Sequence, residues 1–131
     1  MSVNYQIDHD NSRVTVNVSG AYTANDIKAY LNGVWSDPIA DGISGYDELF
    51  IFEEAEFQGT VQDNIELARY GNKFDSEGSR GKIALVNVGN RSFVPSTEVY
   101  KGVRNRMQNA IRRVENFDNT EAALNWLQDS A

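Results

Sequence analysis

Three carboxylates follow a buried-strand pattern in the middle of the chain. Leu49-Phe50-Ile51-Phe52 is apolar without alternation, which is typical of a strand covered on both faces, and Glu53, Glu54 and Glu56 come directly after it. Ligands bind beyond the carboxyl ends of strands in open α/β sheets, and paired carboxylates can share a proton or hold Mg²⁺. No histidine accompanies them, so we assign no metal ion, cofactor or catalytic residue here and expect a crevice for a ligand or a partner.

Arg91 and Ser92 follow a second run of the same kind, Ile83-Ala84-Leu85-Val86. The carboxyl ends of neighbouring parallel strands meet at one edge of a sheet, so we expect Arg91 across the same crevice from the glutamates. Its forked donors suit a carboxylate or a phosphate. The glycines at 78 and 81 precede a strand and not a helix, which argues against a phosphate-binding loop.

His9 is the single histidine, and it lies between Asp8 and Asp10 in a segment rich in turn formers. Hydrolytic chemistry would need a nucleophile or a metal beside it. Turn residues are usually exposed, so we interpret His9 as a solvated turn residue.

The segment from Thr60 to about Phe74 predicts a helix with more apolar surface than one face requires. One stripe suffices to cover a sheet, and it consists of Val61, Ile65 and Ala68. Leu67, Tyr70 and Phe74 lie well around the helix from that stripe. This second stripe predicts packing on a neighbouring helix, a ligand pocket or a dimer surface.

Positive charge is concentrated late in the third predicted helix and beyond it. The residues are Lys101, Arg104, Arg106, Arg112 and Arg113. One explanation of this cluster is that cations near a helix C-terminus complement the helix dipole. The alternative explanation is a basic patch that docks a partner.

Hydrophobic periodicity predicts the order ββαβαβαβα. The predicted strands are a hairpin of alternating residues around Val3–Ile7 and Val14–Val18, followed by strands at 49–52, 83–86 and 112–117. The first predicted helix is capped by Thr23 and Asp26 and stops near Ser36, and the second is capped by Thr60 and Asp63. The third begins after Ser96 and Thr97, and the fourth is capped by Asp118 and Glu121. Alternating strands and helices imply a largely parallel sheet, to which the hairpin adds antiparallel pairing. We therefore predict an α/β fold with a five-stranded mixed sheet and about four helices.

Length and composition indicate one domain over residues 1–131. Apolar residues make up 40% and charged residues 24% of the 131, which is ordinary for a globular protein. The formal net charge of −7 argues against nucleic acid as a partner, and no run reaches the length needed to span a membrane. There is no cysteine, so disulfides and thiolate chemistry are excluded. The first residues do not have the pattern of a signal peptide, and we expect a cytoplasmic location.

Both ends of the chain resemble the SpoIIAA-like family of the STAS type, whose members are mostly uncharacterised bacterial proteins. The matching segments are Tyr5-Gln6-Ile7-Asp8, Val14-Thr15-Val16-Asn17-Val18-Ser19-Gly20, Thr23-Ala24-Asn25-Asp26, Val114-Glu115-Asn116-Phe117-Asp118 and Glu121-Ala122-Ala123-Leu124-Asn125-Trp126-Leu127. The resemblance implies a STAS-like fold, related in architecture to lipid-binding domains of the CRAL-TRIO kind. The middle of the chain is similar only in the order of its elements.

The resemblance also singles out Thr60 as a possible phosphorylation site. In anti-sigma-factor antagonists of this fold, an Asp-Ser-Ser-Gly-type motif places a phosphorylatable Ser at the start of the helix after the third strand. Here that stretch is Phe57-Gln58-Gly59-Thr60-Val61-Gln62, so only Thr60 could take its place. A helix N-cap explains the same Thr without any modification.

Three functions follow as hypotheses. The first is a non-enzymatic regulatory or protein-interaction module, with a protein partner or a second copy of the chain. The second is a carrier or sensor of a small apolar or amphipathic ligand, held near aromatic residues of the sheet and the second helix. The third is an enzyme that uses the crevice of Glu53, Glu54 and Arg91.

Overall fold

The computed structural model describes residues 3–37, 41–72, 81–88, 100–104 and 114–128. The strands are β1 (Val3–Asp8), β2 (Arg13–Tyr22), β3 (Asp47–Phe57), β4 (Ile83–Val88) and β5 (Val114–Phe117). The helices are α1 (Ala24–Val34), α2 (Val61–Asn72), α3 (residues 100–104) and α4 (Thr120–Gln128). The predicted α/β class, the five-stranded mixed sheet and the element order are confirmed.

The strands lie in the sheet in chain order, β1-β2-β3-β4-β5. The first pair is antiparallel and the other three pairs are parallel. Right-handed crossovers between successive neighbours place their helices on one face. The buried contacts support this arrangement. One apolar cluster contains Ile27 and Leu31 of α1, Leu67 of α2, and Val16 and Phe50 of the sheet.

The last helix covers the opposite face of the sheet. Ala123 and Leu127 of α4 form a second buried cluster with Leu49, Ala84 and Val86. Neighbouring residues of β3 and β4 therefore point alternately into the two clusters, which is why both strands are apolar without alternation. The sheet centre is buried on both sides, as the sequence predicted.

Local hydrogen bonds account for the first hairpin and for α1. Asn11 donates to the Asp8 carboxylate from its backbone N–H at 3.2 Å and from its side chain at 2.7 Å, which closes the turn. These bonds lower the pKa of Asp8. At the start of α1, the Asp26 N–H donates to Thr23 Oγ1 and the Thr23 N–H donates to the Asp26 carboxylate, so the predicted cap is confirmed as a capping box.

Two sequence-based details of the helices were wrong. Val61, expected in the covering stripe of α2, is 64% exposed, and the buried side of the helix carries Asn64, Leu67 and Ala68. Leu67 of the helix lies in the main core and Tyr70 contacts α1, so Val61 lies on the outer side of the helix. The cap of α4 is Asn119 and not Asp118, since Asn119 Oδ1 accepts from the Ala122 N–H at 2.8 Å.

Within the described ranges, no helix has the length and apolar character needed to cross a membrane.

Candidate functional site

The three glutamates lie within a strand and not in a loop after it. β3 extends past Phe52 to Phe57, so Glu53, Glu54 and Glu56 belong to its second half, where all three are exposed. The strand continues because β2, which ends at Tyr22, is long enough to pair with it. The three glutamates, which were expected after the end of the strand, therefore form an exposed segment of the strand itself.

A β-bulge interrupts that segment at Glu54. The register pairs Ser19 with Glu53 and Gly20 with Ala55, so Glu54 is the extra residue. Its φ of 50° lies in the left-handed region, which a residue with a Cβ adopts at a cost. The bulge turns the end of β3 so that Ala55 is buried while Glu54 stays exposed.

We predict that Glu54→Gly raises the free energy of unfolding by up to about 1 kcal/mol, because glycine relieves the left-handed strain. Glu56→Gly is the matched control, since it removes the same charge from an exposed position of the same strand where φ is not positive. Glu56→Gly should lower the free energy of unfolding by about 0.5 to 1 kcal/mol. Urea unfolding followed by circular dichroism measures the free energy of unfolding of both variants. An equal decrease in the two variants would contradict the assignment of the bulge.

Arg91 and Ser92 lie outside the described residues, so their predicted position across a crevice from Glu53 and Glu54 stays a prediction. Among the described side chains, no group of three or more His, Cys, Asp or Glu is arranged to hold a metal ion.

Thr60 occupies the N-cap of α2. Its Oγ1 accepts from the Asp63 N–H at 3.1 Å, and its own N–H donates to the Asp63 carboxylate at 2.8 Å. This is a second capping box. The hydroxyl is exposed and already stabilises the helix, and its phosphorylation stays a prediction.

The second apolar stripe of α2 contacts α1. Leu67 is buried in the main core, and Tyr70 packs partly against it. The Tyr70 hydroxyl donates to Asn32 Oδ1 at 2.6 Å, and the Lys28 ammonium lies 5.3 Å from the centre of the Tyr70 ring. Phe74 lies outside the described residues. For Leu67 and Tyr70, the contacts favour intramolecular packing.

His9 lies in the hairpin turn and is exposed, at the end of the sheet where β3 begins. Its Nδ1 is 2.8 Å from the Tyr46 hydroxyl, and the two rings meet edge to face at 5.7 Å. The described hydrogen-bond partner of this imidazole is a tyrosine hydroxyl.

The basic cluster separates into different environments. Arg104, interpreted from sequence as a dipole partner or patch residue, is 0% exposed and donates to the Tyr100 hydroxyl at 2.8 Å. Lys101 forms an ion pair of 3.3 Å with Glu115. Arg106, Arg112 and Arg113 lie outside the described residues. Arg104 therefore does not contribute to a surface patch.

A buried polar relay is the main feature that the sequence did not predict. Glu48 is 0% exposed, and its Oε2 accepts from the Tyr30 hydroxyl at 2.6 Å. The same hydroxyl accepts from Trp35 Nε1 at 2.9 Å. All three side chains are buried between α1 and the sheet.

A period-two pattern could have revealed the buried carboxylate. Glu48, Phe50 and Phe52 alternate along β3, so they point to the same face. The sequence interpretation began the strand at Leu49 and left Glu48 in a loop. The relay is closed from solvent and joins α1 to β3, so we assign it to the stability of the fold.

Two of the three large hydrophobic side chains that are exposed in the described part of the chain lie at one edge of the sheet, and the third lies on α2. These side chains are Tyr5 at 50%, Ile7 at 38% and Val61 at 64%. Tyr5 and Ile7 both belong to β1, at the end of the strand order. Tyr5 lies against Tyr30 with ring centres 5.8 Å apart, so one face of its ring rests on the fold.

Comparison of the chain with protein-family models, with curated proteins and with solved structures found no match.

Proposed function

We propose that this chain is a cytoplasmic, non-enzymatic protein-interaction module of STAS type, and that it binds an extended segment of its partner by strand addition at β1. The observation that carries the proposal is an exposed edge strand with two exposed apolar side chains, Tyr5 and Ile7. In strand addition, main-chain hydrogen bonds supply affinity, and alternate side chains supply specificity.

The alternation along β1 supports this mode of binding. Tyr5 and Ile7 pair with Val16 and Val14 of β2, so they share the face that α1 covers. Asn4 and Gln6 point to the opposite face. A partner strand with the same alternation would extend both faces, with apolar residues beside Tyr5 and Ile7 and polar residues beside the amides.

The alternative functions have less support from the described contacts. Phe50 and Phe52 are buried and stacked on each other at 5.9 Å, and Tyr22 contacts Phe52 at 5.8 Å and Phe57 at 5.4 Å. These aromatic residues fill the core with one another. Glu53 and Glu54 are exposed, without the burial that would strengthen a catalytic carboxylate's interactions.

A peptide-display selection tests the proposal. Random eight-residue peptides are selected on the purified protein, and the best peptide is measured by calorimetry against the parent chain, Ile7→Lys and Val61→Lys. We expect peptides with apolar and polar residues in alternation, affinity at least about tenfold lower for Ile7→Lys, and no change for Val61→Lys, because only the first variant puts a charge on the edge. Peptides that bind Ile7→Lys as tightly as the parent would overturn strand addition at β1.

A further inference from the structure

The first five residues of the edge strand β1, Val3 to Ile7, lack the features that usually keep sheet edges apart. Natural edge strands are protected by Lys, by Pro, by inward-pointing charges or by bulges. Between Val3 and Ile7 there is no charged residue and no proline, and the pairing of β1 with β2 runs without a register shift. An edge strand of this kind presents backbone groups that another strand can pair with.

We infer that the strand added at β1 is β1 of a second copy of this chain, an inference that rests on the proposed function. Antiparallel pairing about a two-fold axis at Tyr5 places Tyr5 opposite Tyr5 of the second copy. The same register places Val3 opposite Ile7 and Asn4 opposite Gln6. Apolar residues then meet apolar residues on the α1 side, amides meet amides on the other side, and the two sheets join into one.

The distribution of charge permits a second copy in this register. Each chain carries a net charge of −7, so copies repel each other over most of their surfaces. The segment from Val3 to Ile7 is uncharged. Asp8 lies just outside this segment. The Asp8 residues of the two copies would lie at opposite ends of the paired strands, on the order of 20 Å apart. Arg13 faces Asp8 within each copy.

Cysteine cross-linking tests the register, because the chain has no cysteine of its own. Residues directly opposite each other in an antiparallel pair have Cβ atoms about 4.5 to 5.5 Å apart, close to the spacing of a disulfide. Under mild oxidation we expect Tyr5→Cys to form a covalent dimer. Asn4→Cys and Gln6→Cys should remain monomeric alone and cross-link when mixed. Equal cross-linking at all three positions, or none at position 5, would overturn the register.

Sedimentation of the unmodified chain tests the second copy itself. We expect a dimer that tightens as salt screens the repulsion between two chains of net charge −7. Ile7→Lys should raise the dimer Kd at least tenfold, and Val61→Lys should leave it unchanged. A chain that stays monomeric but binds selected peptides at β1 would overturn the second copy and leave the proposed function standing. A chain that neither forms a dimer nor binds a peptide at β1 would overturn both the second copy and the proposed function.

Discussion

Replacing Tyr30 by Phe lowers the free energy of unfolding by about 1 to 3 kcal/mol. The hydroxyl donates to buried Glu48 and accepts from buried Trp35, so its removal takes one hydrogen bond from each. Each of these buried hydrogen bonds contributes about 0.5 to 1.5 kcal/mol to the free energy of unfolding. The ring of Tyr30 stays in the core against Phe50, at 5.7 Å, so packing is largely unchanged.

Tyr5→Phe is the matched control for this experiment, because it removes a hydroxyl from a half-exposed ring that contacts Tyr30. Its effect should stay within about 0.5 kcal/mol. Urea unfolding followed by circular dichroism suits both variants, since tryptophan fluorescence would respond directly to the lost bond at Trp35. Similar small losses for the two variants would show that the relay does not stabilise the fold.

Replacing Gly81 by Ala should cost about 1 to 3 kcal/mol, because there is no room for a side chain where the chain enters β4. A Cβ at this position would lie 2.7 Å from both the Cα and the N of Asp47, and it would collide with Asp47 Oδ1. That backbone cannot move away easily. The Gly81 N–H donates to the Tyr46 carbonyl at 2.5 Å, and the Lys82 N–H donates to Asp47 Oδ1 at 2.7 Å.

Gly33→Ala tests whether the loss at Gly81 comes from this close approach. Gly33 lies in α1, and a Cβ there would meet nothing within 4 Å. Alanine should stabilise the helix by about 0.5 to 1 kcal/mol. The two variants should therefore shift the midpoint of thermal unfolding in opposite directions. A Gly81→Ala variant as stable as the parent chain would mean that the start of β4 adapts to a side chain.

The order of the elements was predictable because local signals mark most of their limits. The caps at Thr23 and Thr60 each depend on an acid three residues later, and the structure has both as capping boxes. Alternation in the hairpin and continuous apolar runs at the sheet centre arise from how many faces each strand buries. The largely parallel pairing of β2 to β5 followed from the alternation of strands and helices, whereas the position of each strand in the sheet was not predicted.

The candidate site was less predictable, because it depends on how far strands extend and which sides they turn. Glu53 and Glu54 were expected after the end of a strand, and they lie on that strand because pairing with β2 prolongs it. The edge strand was predicted as half of a hairpin. Which side of that hairpin would remain open could be decided only by the position of β3 beside β2.

The sequence by itself determined the α/β class, the mixed sheet and the caps of α1 and α2, since each depends on residues a few positions apart. Only the tertiary structure decided that Arg104 is buried, that Glu54 forms a bulge and that β1 lies at the edge. The physical reason is distance along the chain. Burial, register and close approach depend on contacts with elements that are remote in sequence, as Gly81 against Asp47 shows. No local pattern specifies them.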